Sequence, residues 1–249
     1  MTSSNQPQNR FQFHSSKDLP DVTVMQVEMH GFSYGRHAHE EFAIGVTLAG
    51  QQEYFSAGTL NRSQPGNIML FNPEQVHDGE ARVDQALLYN MLYIHPEQFS
   101  PMLSAAGVKQ AQHFRMTETL IHDNMLQTLV MDLSQQLMQP LQQTFHIEHS
   151  LYRLAAGIAQ RYGVYQPDTR TRRVDHIITI AQDYIHDNLS TSLSLDDIAN
   201  QVHVSKYHFI RLFRRQMGMT PHQYIINARV NRARHALALG MPTDEAGSL

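Results

Sequence analysis

The chain has 249 residues, enough for two domains at roughly 100 to 200 residues each. Apolar residues make up 41% and charged residues 17%, near ordinary globular usage, and the absence of cysteine excludes a disulfide framework, a thiolate metal cage and a thiol nucleophile. The formal net charge of -4 hides a division: residues 170–240 carry ten Lys or Arg against five Asp, while the remainder carries nine against eighteen. A cationic segment on an anionic body points to a polyanion partner at one end, although on charge alone a solvated helical face explains it equally well. No run of about 18 apolar residues and no basic-then-apolar leader is visible, so the expectation is a soluble, cytoplasmic protein without a membrane partner.

Residues 1–20, MTSSNQPQNRFQFHSSKDLP, are polar and low in aliphatics and predict an arm with little structure of its own. From there short apolar stretches alternate with turn residues. FAIGVTLAG sets Phe42, Ile44, Val46 and Leu48 on one face, SQPGNIMLFNP brackets a short strand between Pro-Gly and Asn-Pro, and ALLYNMLYIHP is apolar on both faces. Many short strands at this spacing predict a sandwich or small barrel over residues 21–115.

Periodicity then changes from 2 to 3.6. Leu126, Leu129, Val130, Leu133 and Leu137 form one helical stripe, and Leu151, Leu154, Ala155, Ile158 and Tyr162 form another after Pro140. Residues 116–165 therefore hold two antiparallel helices, which either cap the β region or pair with a second copy; a homodimer is the favoured expectation. Residues 166–173 read as a linker.

Residues 174–249 form the cationic unit. Val174, Ile177, Ile178, Ala181 and Ile185 make a first helix. Ser194 is placed to cap a short second one with Asp196 and Asp197 in its first turn, and Ser205 to cap a third that Gly218 stops. Thr220 and Pro221 open a fourth. Two short helices joined by a tight turn make a helix-turn-helix. In the second of them Phe209, Leu212, Phe213 and Met217 give the buried stripe, and Tyr207, Ile210, Arg211 and Arg214 an outer face. A helix of this width fits the major groove of double-stranded DNA. Arg211 is the expected base reader, with Tyr207 and Ile210 supplying shape and methyl contacts, and Lys206, Arg214 and Arg215 gripping phosphates.

The run LSLDDIANQVHVSKYHFIRLFRRQMGMTPHQYIINARVNRARHAL resembles the first helix-turn-helix and connecting helix of AraC/XylS-type transcriptional regulators. RHAHEEFAIGVTLAGQQEYFSAG and PGNIMLFNPEQVHDG resemble, more loosely, the cupin-like effector domain of the same family. The resemblance implies an α+β chain: an N-terminal cupin-like β-barrel with a small-molecule pocket, a helical dimerisation segment, and an all-α reader. It places base reading on Tyr207, Ile210 and Arg211. Such regulators continue into a second helix-turn-helix, whereas only MPTDEAGSL follows Gly240 here; weak, salt-sensitive DNA binding is expected unless dimerisation supplies a second contact.

His37 and His39 in HAHEE, with His77, are the cluster with metal-ligand character. Metal-binding cupins usually add a carboxylate a few residues on, where this sequence has Ala43 and Ile44. No metal or other cofactor is therefore expected. His37, His39, Phe42, Ile44 and His77 instead become candidates for a pocket holding an organic effector, beside the blander possibility of satisfied histidines at a barrel mouth. The resulting expectation is a ligand-responsive, sequence-specific regulator, not an enzyme. The alternatives are a metal-dependent cupin enzyme using the three histidines, or a shortened sensor acting through mixed dimers.

Overall fold

The computed structural model describes residues 9–81, 85–140, 143–165, 172–238 and 241. By internal contacts the chain forms two units. The first comprises Met1–Gly35, Glu40–Pro73 and His77–Tyr165, and the second Arg36–His39, Glu74–Val76 and Gln166–Leu249.

In the β-rich unit, one sheet has the order β1 (Arg10–Ser15), β2 (Val22–Met29), β9 (Leu87–Ile94), β4 (Phe42–Ala49), β7 (Ile68–Phe71), β11 (Leu120–Ile121). A second has β3 (Ser33–His37), β8 (His77–Ala81), β5 (Gln52–Ser56), β6 (Thr59–Ser63), and β10 (Phe114–Met116) pairs with β12 (Gly163–Tyr165). The larger sheet is buried on both faces, which is why IMLF and LLYNMLYI run apolar without alternation. Phe42, Ile44, Val46, Ile68, Leu70, Leu92 and Ile94 form one core with three helices, α1 (Pro96–Ala105), α2 (Asn124–Met138) and α3 (Thr144–Tyr162). Met25, Met29, Ala43, Met69, Phe71, Tyr89, Met91 and Tyr93 form another with Tyr54 of β5 and Ala81 of β8, inside the two-sheet barrel.

Three expectations need correction. Within the arm, Arg10–Ser15 is a strand paired antiparallel along β2, from Arg10 opposite Glu28 to Ser15 opposite Thr23; the backbone pairing satisfies an edge that β2 would otherwise expose. Residues 1–8 lie outside the described residues. Helix α1 falls inside the segment read as β: His95 accepts from the Glu97 amide at its start and Pro96 occupies the first turn, where its missing N–H costs nothing. The stripes of α2 and α3 are buried against the sheet, so the apolar surface invoked for dimerisation is covered within the unit itself. Asp123 fastens these two helices: its Oδ1 accepts from the Met125 and Leu126 amides at the start of α2, and its Oδ2 pairs with Arg161 at 2.9 Å near the end of α3.

The second unit is helical: α4 (Arg172–Asp187), α5 (Leu195–Gln201), α6 (Lys206–Met217) and α7 (Pro221–Ala238). The linker residues 166–171 and the side chain of Val174 lie outside what is described, the last two linker positions, Arg172 and Arg173, already belong to α4, and Gly163–Tyr165, at the end of the segment read as helical, form β12. Ser194 closes a capping box with Asp197, Ser205 accepts from the His208 amide, and Thr220 exchanges hydrogen bonds with Gln223. Gly218 sits at φ 71° and ends α6, a conformation that penalises any Cβ. The core joins Ile178, Ala181 and Ile185 of α4, Ile198 and Ala199 of α5, Phe209 and Phe213 of α6, and Tyr224, Ile225 and Ala228 of α7.

Candidate functional site

Helix α6 presents two contrasting faces. Phe209 and Phe213 are fully buried, their rings 5.4 Å apart, and Leu212 and Met217 pack partly beside them. On the outside, Tyr207 is 77% exposed, Arg211, Arg214 and Arg215 are exposed, and Ile210 is half-buried. Burying the two phenylalanines fixes the helix rotation and so leaves the guanidinium groups in water, aimed outward. Six residues singled out from sequence thus lie along one helix, but not all are equally available. Lys206 Nζ donates to Asp196 Oδ2 at 2.7 Å, and this hydrogen bond, with the attraction of the carboxylate, holds the ammonium pKa above the ordinary lysine value.

Two charged residues outside the predicted set shape this unit. Asp196, at the start of α5, restrains Lys206. Arg229 of α7 donates from Nε to the Leu189 carbonyl at 2.9 Å and from a terminal nitrogen to the Thr191 carbonyl at 2.7 Å, so one cation in the basic count braces the turn after α4. Neither was legible, because each depends on residues brought together only by folding.

The pocket residues proposed from sequence separate. His37 ends β3 and touches His39 edge to face, ring centres 4.9 Å apart. The neighbouring strand β8 opens with His77, buried and stacked on Phe71 at 3.9 Å. Among the described residues these three histidines are the group with metal-ligand chemistry. Phe42 and Ile44 are a different matter. Phe42 packs against Phe99 of α1 at 5.1 Å and Ile44 is completely buried in the same helix-side core, so both point away from the barrel interior. With apolar residues on both sides of β4, alternation alone could not say which face was which.

The interior face of β4 carries Ala43 and Gly45. A Cβ on Gly45 would stand 2.6 Å from Met91 Cε and 3.0 Å from Met69 Cε, so glycine lets two flexible thioethers meet over the strand. Around them Tyr89 donates to the Tyr34 hydroxyl at 3.2 Å and Tyr54 donates to the Thr119 carbonyl at 2.7 Å. Burial pushes all three phenols above their ordinary range. The polar residues buried among those described are Ser, Thr, Gln, Asn and His77.

Comparison with known proteins gives these two regions their context. The family model for the AraC-like ligand binding domain matches residues 19–156, and that for bacterial regulatory helix-turn-helix proteins of the AraC family matches residues 185–225. An uncharacterized HTH-type transcriptional regulator, YbfI of Bacillus subtilis (strain 168), is 24% identical over 219 residues, spanning 86% of this chain and 77% of the relative. The lactose operon transcription activator of Staphylococcus xylosus is 19% identical over 216 residues, 86% of this chain and 76% of the relative. In fold, the chain is similar to unsaturated fatty acid bound wild-type ToxT from Vibrio cholerae strain SCE256, with a TM-score of 0.60 and 11% identity over 91% of this chain and 86% of that one. The chain belongs to the AraC family, and is a transcription regulator with a ligand-binding domain and a DNA-binding helix-turn-helix.

Proposed function

We propose that the outer face of α6 lies in the major groove of its operator and that a small molecule inside the barrel controls it. The observation that carries this reading is the division of α6 itself: two fully buried phenylalanines on one side and three exposed arginines on the other. Arg211 reads a guanine through O6 and N7, Tyr207 and Ile210 supply shape and methyl contacts, and Arg214 and Arg215 hold phosphates. Lys206 joins them once it leaves Asp196.

The effector site is the Met- and Tyr-lined interior rather than the Phe42 side of β4. Its side chains offer thioethers, aromatic faces and phenol hydroxyls, which suit a polarizable molecule with a hydroxyl or carbonyl to bond. His77, against Phe71, borders this interior. The effector acts by binding two arrangements of the protein unequally. The chain works by binding and not by catalysis, and the lactose operon activator among its relatives favours activation of transcription. A DNA partner, with no helix long and apolar enough to cross a membrane among the described residues, supports work in the cytoplasm. A homodimer would use the outer side of α3, where Phe145 and Tyr152 are exposed, since the inner stripe is taken.

Selection of bound sequences from random duplex DNA, with and without a metabolite extract, tests the reading. Enrichment of one motif whose strength changes with extract is the expected result. Failure to enrich any motif under either condition would overturn it.

A further inference from the structure

Two short segments, Arg36–His39 from the end of β3 and Glu74–Val76 between β7 and β8, belong to the second unit. The second is the more informative. Glu74 is held in the left-handed region at φ 62°, and its amide donates to the His39 carbonyl at 2.6 Å. Its carboxylate accepts from the Tyr224 hydroxyl at 2.8 Å and from the side-chain amide of Gln182. Gln182 also donates to the Tyr224 oxygen at 3.2 Å, and His186 Nε2 stands 3.0 Å from it. One carboxylate thus ties α4 to α7.

The same loop bears on the recognition helix. The Tyr224 ring meets Phe213 of α6 edge to face at 5.3 Å, and Val76 lies against Gly218, where a Cβ would be 3.5 Å away. The loop's base is equally fixed. Phe71, the last residue of β7, belongs to the barrel-interior core and stacks on His77, the first of β8. Asn72 exchanges two hydrogen bonds with the backbone of Met116. Between these anchors only Pro73 to Val76 remain, too short a span to absorb a displacement at its base.

We infer that the Glu74–Val76 loop is a relay: a molecule that shifts Phe71 or His77 in the barrel alters the grip of Glu74 on Tyr224 and Gln182, and with it the hold on α6. Glu74 is on this account a positioning residue. The inference rests on α6 being the reading helix, but its test is independent of DNA.

Amide hydrogen exchange on the full chain is compared for the wild type, Glu74→Ala, His77→Ala and the double variant. Glu74→Ala is expected to raise exchange in α4, α6 and α7 by roughly tenfold while leaving β2, β4 and β9 unchanged, as loss of a local tie would. His77→Ala is expected to raise it in the same helices, and to add nothing in the Glu74→Ala background. His77→Phe, which keeps a stacked ring, and Glu74→Gln, which keeps an acceptor for Tyr224, should retain most of the protection. Unchanged exchange of α6 and α7 in Glu74→Ala would overturn the relay, as would a His77→Ala effect that persists in full in the double variant. If the exchange pattern is as expected but the wild type selects no DNA motif, the reading of α6 fails and the mechanical link stands.

Discussion

Replacing Phe213 by alanine removes a fully buried ring that touches Phe209 at 5.4 Å and Tyr224 at 5.3 Å, the centre of the helical core. Transfer of the ring to water plus the residual cavity costs about 3 to 5 kcal/mol. The helical unit is small, and a single core of that size rarely supplies more than ~3 to 5 kcal/mol, so the loss is comparable with everything it has. At roughly 4 to 8 °C per kcal/mol for a unit of this length, the midpoint should fall by at least ~12 °C. Scanning calorimetry with hydrogen exchange of α6 reads this directly, the transition of the β-rich unit serving as internal reference. Arg214→Ala, on the exposed face one position further along, should stay within about 0.5 kcal/mol of wild type. A mild Phe213→Ala, or an Arg214→Ala as damaging, would refute the assignment of faces from which the DNA-reading argument starts.

Three further outcomes are expected. Asp196→Asn releases Lys206 and removes an anion from the reading side; DNA affinity should rise several-fold and its salt dependence steepen, while stability stays nearly unchanged because the ion pair is exposed. An unchanged salt slope would place Lys206 away from phosphate. Gly45→Val pushes branches into Met91 and Met69 and should cost ~1 to 3 kcal/mol in the β-rich unit, abolishing effector response but not DNA binding; a retained response would move the effector elsewhere. Finally, Tyr34, Tyr54 and Tyr89 are held neutral by burial, whereas in the unfolded chain they ionise near pH ~10. Their raised folded values mean the unfolded state loses protons first, so this contribution is complete below pH ~10 and declines as pH climbs from there through the folded values. Ultraviolet titration should show part of the ten tyrosines ionising late and together with unfolding; ten phenols titrating as one ordinary group would show that these three are not buried.

The helix-turn-helix was readable because its signals are local. Ser194, Ser205, Gly218 and Pro221 each act on backbone groups within a few residues, and the Phe209 and Phe213 spacing reports its own face. Where the answer depended on what lay opposite, sequence fell short. Which way Phe42 and Ile44 face was not legible because β4 is apolar on both sides, and only the helices packed on one side decide it. Helix α1 carries Pro96 and Pro101, residues that weaken a helical signal in sequence, although the first is harmless in an opening turn. The strand at Arg10–Ser15 needs β2 beside it, and the roles of Asp196, Arg229 and Glu74 exist only across long stretches of chain.

The most direct measurement is base discrimination by Arg211→Ala on the selected operator. Loss of one two-pronged guanine contact should erase preference at a single base-pair position by about 1 to 3 kcal/mol, roughly 5- to 150-fold, with binding to unrelated duplex nearly unaltered and the fold intact. If the variant still prefers the same base at every position by the same margin, α6 does not read DNA through this arginine and the central claim is wrong.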